Sequence, residues 1–176
     1  MSFHETADRD SAYQLGSAAL FLATASILAA LGFEYIGGYR PCPLCLMQRY
    51  AYYASIPALF VALTLFSGGR KGWASVLFIA VAIAFLANAG LGVYHAGAEW
   101  KLWDGPSACA ADQPLTATAG GLLKDLETIR VPRCDEASWR MFGLSFAGWS
   151  VVASLLASAL AARAALISIQ NRRRSL

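Results

Sequence analysis

The sequence predicts an all-α membrane protein: a bundle of four transmembrane helices with both termini on the cytoplasmic side. Three observations predict it. The 176 residues are 57% hydrophobic and 14% charged, with a mean hydropathy of +0.49, whereas a soluble domain carries about a quarter charged residues. The charges are also segregated: Leu15–Phe33, Tyr50–Gly69, Trp73–Ala98 and Met141–Ala162 hold no Asp, Glu, Lys or Arg. Each run reaches or approaches the roughly 20 apolar residues needed to cross a hydrocarbon core as a helix. Four such runs in so short a chain argue against a soluble bundle.

The elements follow in order, within one integral membrane domain spanning 1–176. Helix one is expected over 15–36; its apolar stretch exceeds the roughly 7–15 residues of a secretory signal core, and the preceding SFHETADRD is net acidic, so it is read as retained. A short outer loop, 37–43, leads to helix two at 44–67, where Pro43 suits the first helical position and Pro57 is expected to kink the helix. The turn SGGRKGW leads to helix three at 73–96, a long outer loop covers 97–140, and helix four occupies 141–166. Small residues at fourfold spacing, Ala80, Ala84, Asn88 and Gly92, then Ala153, Ala157, Ala161 and Ala165, suit close helix packing in lipid. Within the long loop, TATAGGLLKDLETIR sets Leu122, Leu123, Leu126 and Ile129 apart from Lys124, Asp125 and Glu127. That pattern predicts a short amphipathic helix on the membrane surface.

Lys and Arg orient the bundle. Arg70 and Lys71 lie in the turn between helices two and three, and Arg172, Arg173 and Arg174 in the C-terminal tail, which predicts cytoplasmic termini. The net charge of +3 is accounted for by this anchoring, and nothing points to nucleic acid. All four cysteines then fall on the non-cytoplasmic side, where disulfides persist: Cys42 and Cys45 by the first outer loop, Cys109 and Cys134 in the second.

The stretch YRPCPLCLMQRY, 39–50, carries the most chemistry. With Pro43 opening the helix, Cys42 sits at the cap, exposed, and Cys45 in the first turn. Unpaired N–H groups and the positive end of the helix dipole both favour a thiolate there. Arg49 shares that face, as 42, 45 and 49 are related as i, i+3 and i+7, and it can stabilise a thiolate or another anion. A disulfide across two intervening residues constrains little of the unfolded chain, so a purely structural role is weak. Zinc ranks lower still and no metal is assigned, because Cys109 and Cys134 are too far apart in sequence for a second close pair. Redox exchange is the leading reading.

Two couples on one face can exchange through mixed disulfides, with the loop pair meeting a soluble partner and the helix pair fixed at the membrane edge. The electrons then need an acceptor. No G-x-G-x-x-G follows a strand, and His4 and His95 are too few for a haem reading. A lipid-soluble quinone is the acceptor within reach. His95, in GLGVYHAGAEW at the outer end of helix three, lies at the depth of the cysteines and is a candidate hydrogen-bond partner for it.

Four helices, CPLC at the start of helix two with Arg49 following, and a long loop holding Cys109 and Cys134 together resemble the DsbB family of disulfide bond formation proteins. The resemblance covers essentially the whole chain. It implies a membrane protein-disulfide oxidoreductase of the bacterial inner membrane, with its active cysteines on the periplasmic side. Such a protein reoxidises a DsbA-like thioredoxin-fold partner and passes electrons to ubiquinone or menaquinone. It further implies that Cys109 forms the mixed disulfide with the partner, that Cys134 exchanges with Cys42, and that Cys45 faces the quinone in a charge-transfer contact. Arg49 and His95 are the implied quinone-side residues. DsbA is an established strong oxidant at about −120 mV, so its electrons flow only to an acceptor of higher potential, as a quinone is and a nicotinamide is not. Vitamin K epoxide reductase-like proteins also combine a helical bundle, paired cysteines and quinone, and rank second. A structural or zinc-binding membrane bundle is the alternative outside the enzymes.

Overall fold

The structure, a computed structural model, describes residues 3–105, 134, 137 and 139–174. Among these, four helices are long and apolar enough to cross a membrane: α1 (Phe3–Tyr35), α2 (Pro43–Ser67), α3 (Lys71–Glu99) and α4 (Phe146–Arg174). The observed architecture is thus the four-helix bundle expected. The helices outrun their apolar spans: α1 starts at Phe3 rather than 15, and α4 ends at Arg174 rather than 166. The added residues, Glu, Ala, Gln and Arg among them, are good helix formers, and helical hydrogen bonding does not stop where the lipid does. The expected surface helix around 122–129 lies outside the described residues.

Short connections make sequence neighbours antiparallel. At one end of the bundle, Gly16 of α1 abuts Leu63 of α2 and Phe78 of α3. There too Ser168 Oγ donates to the Lys71 carbonyl at 3.0 Å and Lys71 Nζ to the Asn171 carbonyl at 3.5 Å. At the other end, Glu34 of α1 meets Arg49 of α2. The start of α1 and the end of α4 therefore share one end, and the described cysteines occupy the opposite one.

The interior is built from Leu59, Phe66, Phe78 and Phe85 fitted against alanines of α1 and α4. Large apolar side chains such as Phe21, Leu28, Phe60, Ile83 and Leu86 face outward, as a lipid-facing surface allows. One polar cluster inside is paired across helices: Asn88 Nδ2 donates to Ser154 Oγ at 2.9 Å, and the Tyr52 hydroxyl meets the same oxygen at 3.2 Å. Asn88 thus bonds across helices rather than merely sparing space.

The stripe expected on α4 is inside, with Ala157, Ala161 and Ala165 buried, because α4 packs against both α1 and α3. On α3 the stripe leaves the interface: Gly92 and Asn88 are buried, but Ala80 is exposed. A strict fourfold step advances about 40° too far on a helix of 3.6 residues per turn, so Ala80 ends up well around the axis from Gly92. Gly92 itself marks a close α3–α4 approach, since a Cβ there would lie 2.7 Å from Val151 Cγ2.

The fourth helix begins at Phe146, not 141, because a small hairpin precedes it. Strands β1 (Arg140–Met141) and β2 (Leu144–Ser145) pair antiparallel, Arg140 opposite Ser145 and Met141 opposite Leu144. The turn residues Phe142 and Gly143 have φ of 52° and 82°, the double positive of a type I′ turn. Trp149 Nε1 donates to the Met141 carbonyl at 3.2 Å and fastens the hairpin to α4.

Candidate functional site: a thiol pair at the mouth of an apolar cavity

Helix α2 is built to present its cysteines. Cys42 is the N-cap, with φ −75° and ψ 165°, and Pro43 takes the first helical position. The Cys42 sulfur accepts a hydrogen bond from the Cys45 backbone N–H at 3.2 Å, so it satisfies an orphan donor of the first turn as a cap side chain does. The two sulfurs lie 2.9 Å apart, joined by an S–H···S bond, and both are free thiols. Cys42 was expected to be exposed; at 5% exposure it is buried. Its cover is a small cluster with Leu44 and Cys134, against which Cys45 and Leu91 pack.

Cys134 is only 1% exposed and is disulfide-bonded. The structure therefore brings three of the four expected cysteines to one place. The fourth, Cys109, lies outside the described residues.

His95 is also buried, at 2% exposure. Its Nδ1 is 3.0 Å from Gln48 Nε2, and its Nε2 is 3.6 Å from Cys42 Sγ. An amide nitrogen can only donate, so Nδ1 accepts and the ring proton resides on Nε2, facing the sulfur. Glu99, one turn further along α3, puts Oε1 3.8 Å from the same Nε2. This environment pulls the Cys42 thiol down from 9.0 to about 5. The hydrogen bond from Cys45 contributes most; His95 and the Cys45 N–H add to it, and together they outweigh burial, which acts the other way.

Arg49 lines the same cavity as the two thiols, but its guanidinium is engaged with α1. It donates to Glu34 Oε2 in a charge-assisted ion pair and to the Ala30 carbonyl at 3.4 Å. Sequence reasoning did not single out Glu34, Gln48 or Glu99. Gln48 could have been found at the turn after Cys45, on the face next to Arg49. Glu34 and Glu99 carry the signal of an acid placed at the end of an apolar span.

The cavity, of about 530 Å³, opens between α1, α2 and α4. Leu22, Ile27, Tyr52 and Leu156 form its apolar wall, and Cys42, Cys45, Gln48, Arg49 and His95 its polar end. Aromatic rings at the helix ends and beside them frame it: Trp139 stacks on Phe146 at 4.9 Å, and Phe33 meets Phe146 edgewise at 4.9 Å and Trp139 tilted at 5.2 Å. An activated thiol pair facing an apolar cavity sized for a drug-like ligand can exchange disulfides on one side and meet a lipid-soluble oxidant on the other.

Comparison with known proteins decides the family. The model of disulfide bond formation protein DsbB matches residues 13–164. The chain belongs to the DsbB family. A disulfide bond formation protein B from Aromatoleum aromaticum (strain DSM 19018 / LMG 30748 / EbN1) is 32% identical over 157 residues, 85% of this chain and 92% of that protein. One from Xanthomonas campestris pv. campestris (strain 8004) is 31% identical over 139 residues, 75% of this chain and 78% of that protein. A third, from Marinobacter nauticus (strain ATCC 700491 / DSM 11845 / VT8), is 30% identical over 140 residues, 76% and 80% respectively. No solved structure matches the chain. As a DsbB-family protein it is a multi-pass membrane oxidoreductase of disulfide bond formation.

Proposed function

We propose that this DsbB-family protein reoxidises a DsbA-like thioredoxin-fold dithiol oxidase at the periplasmic face of the inner membrane and delivers the electron pair to a membrane quinone, ubiquinone or menaquinone. The observation that carries this reading is the opening of the Cys42–Cys45 pair onto a mostly apolar cavity, with Cys134 packed beside Cys42. Water-side and lipid-side partners could each reach one flank of the same thiol pair.

In the exchange steps, a thiolate of the partner dithiol attacks the loop disulfide at Cys109, forming a mixed disulfide and freeing Cys134. The partner's second thiol then breaks that bond, leaving oxidised partner and two loop thiols. The Cys134 thiolate attacks the Cys42–Cys45 disulfide at Cys42 and releases Cys45, and Cys109 resolves the new bond. The helix pair then holds two electrons as dithiol, the form of the helix pair in the structure. Drawn down to about 5, the Cys42 thiol favours the thiolate at neutral pH, the form that attacks an oxidant.

The cavity's residues fit a quinone: an apolar wall for ring and tail, and polar groups at the thiol end for the ring oxygens. A quinone bound there would supply a two-electron, two-proton acceptor. Arg49, held by Glu34, keeps positive charge at that end, and His95 holds a ring N–H toward the sulfur. Phe33, Trp139 and Phe146 pack together as an apolar rim.

The test is quinone reduction by the purified protein in detergent, with a reduced thioredoxin-fold partner as donor, beside Cys45→Ser and Cys109→Ser variants. Turnover by the wild type and none by either variant is expected. An inert wild type with bound quinone and an intact partner would overturn the proposal.

A further inference from the structure

The same thiol pair, when reduced, has a second chemistry. Cys42 Sγ, Cys45 Sγ and His95 Nε2 all lie within 4.8 Å of one another. Two of the three donor residues, Cys42 and His95, are buried, and Cys45 is half-buried. Two thiolates and an imidazole are the donor set of zinc-class cations, and three protein ligands leave a fourth position open. A C-x-x-C whose first sulfur accepts the N–H of the second cysteine is also a common zinc-binding turn.

A neighbouring acid adds a second observation. Glu99 is 8% exposed, and its Oε2 is buried with no hydrogen-bond partner. Its Oε1 lies 3.8 Å from His95 Nε2, the would-be ligand atom. Ser145 and Arg140 already favour this carboxylate, and a cation at the three donors would give its unsatisfied oxygen a further partner. Gln48 completes the arrangement. Ligation through Nε2 moves the ring proton to Nδ1, and the Gln48 amide, now at 3.0 Å from Nδ1, can turn to accept it through Oε1.

We propose that reduced Cys42 and Cys45, with His95, bind one thiophilic divalent cation of the zinc type, and that this cation locks the pair in its dithiol state. Binding replaces the remaining thiol protons and leaves the sulfur oxidation state unchanged. A Cys42–Cys45 disulfide has no thiolate to offer, so cation binding and oxidation exclude one another. The site is then a metal-sensitive brake on electron flow. That last consequence rests on the redox reading above, whereas binding itself does not.

The experiment uses full-length protein in detergent with Cys109→Ser and Cys134→Ser, so that only the helix pair contributes thiols. After anaerobic reduction and removal of reductant, Co²⁺ is titrated in and then displaced by Zn²⁺. The expected result is saturation at one Co²⁺ per chain, with a near-ultraviolet sulfur-to-cobalt band and the strong visible absorption of a tetrahedral site, bleached by Zn²⁺. Oxidising the pair beforehand abolishes both bands, and His95→Ala weakens binding at least about tenfold. X-ray absorption on the Zn²⁺ complex, which needs no His95 variant, should count two sulfur neighbours and at least one nitrogen. No sulfur-to-cobalt band, no saturation at one equivalent, or a zinc shell without nitrogen overturns the proposal. None of these readouts uses quinone or partner, so they fail or succeed separately from the redox function. In otherwise wild-type protein, Zn²⁺ added before quinone should block turnover and a chelator restore it.

Discussion

Cys42 combines three roles in one atom: helix cap, acceptor from Cys45 and neighbour of His95. Because its folded-state thiol lies at about 5, below its ordinary 9.0, the thiolate is present above that value and lost as pH falls through it. Alkylation of reduced protein by iodoacetamide should therefore be nearly flat from pH 8 to pH 6 at Cys42 and fall about tenfold per unit below 5. Cys45→Ala should raise the midpoint more than His95→Ala does, since the Cys45 hydrogen bond is the largest cause. A midpoint near the ordinary thiol value in wild type would contradict this. Arg49 gives a second residue-scale prediction. Glu34→Gln removes the anion that holds the guanidinium, so KM for quinone should rise about tenfold, roughly 1.4 kcal/mol, while the rate of disulfide exchange with the partner stays put. Equal losses in both would mean that Glu34 only supports the fold. The cysteines, Arg49 and His95 were legible as residue types at a given depth. Their partners were not, because Glu34, Gln48 and Glu99 come from three helices that only packing brings together.

At the scale of elements, hydropathy located the spans and Pro43 located the start of α2, since a missing N–H costs nothing there. Burial of Cys42 could not be read, because its cover comes from Cys134 and His95, far away in sequence. Nor could the hairpin at Arg140–Ser145: two-residue strands have no periodicity, and Phe142 adopts a positive φ that its residue type does not advertise. Helix contacts make their own predictions. Gly92→Leu places a side chain where even a Cβ would come within 2.7 Å of Val151, so α3 and α4 must separate. Unfolding in mixed detergent should show a loss of about 1–3 kcal/mol, and an unchanged midpoint would contradict the close approach. Ser154→Ala strips the shared acceptor from Asn88 and Tyr52 and should cost about 1 kcal/mol in the same assay.

For the whole molecule, one end carries the thiols, the cavity and the aromatic rim, and the other carries Arg70, Lys71, Arg172 and Arg173. The positive-inside rule predicts that the basic end is cytoplasmic, and the proposed partner and quinone chemistry needs the thiol end on the far side. Gly69→Cys and Tyr39→Cys, each in a chain stripped of its own cysteines, report this directly in intact cells. An impermeant maleimide should label position 39 and spare position 69; the reverse pattern would invert the molecule. The bundle was legible because lipid allows only helices and closed barrels, and unbroken apolar runs of about 20 residues suit the helix rather than the alternating strand. The cavity was not, because its lining is shared among α1, α2 and α4, which only packing brings together.

The most direct test of electron transfer from the thiol pair is a single turnover without any partner. Protein carrying Cys109→Ser and Cys134→Ser is reduced, freed of metal, and mixed anaerobically with one equivalent of a short-chain quinone, while absorbance and free thiols are followed together. One quinol formed for each pair of thiols lost, with a Cys42–Cys45 disulfide found by mass spectrometry, is the expected result. Quinone left unreduced over a pair that stays fully reduced would contradict the assignment at its centre.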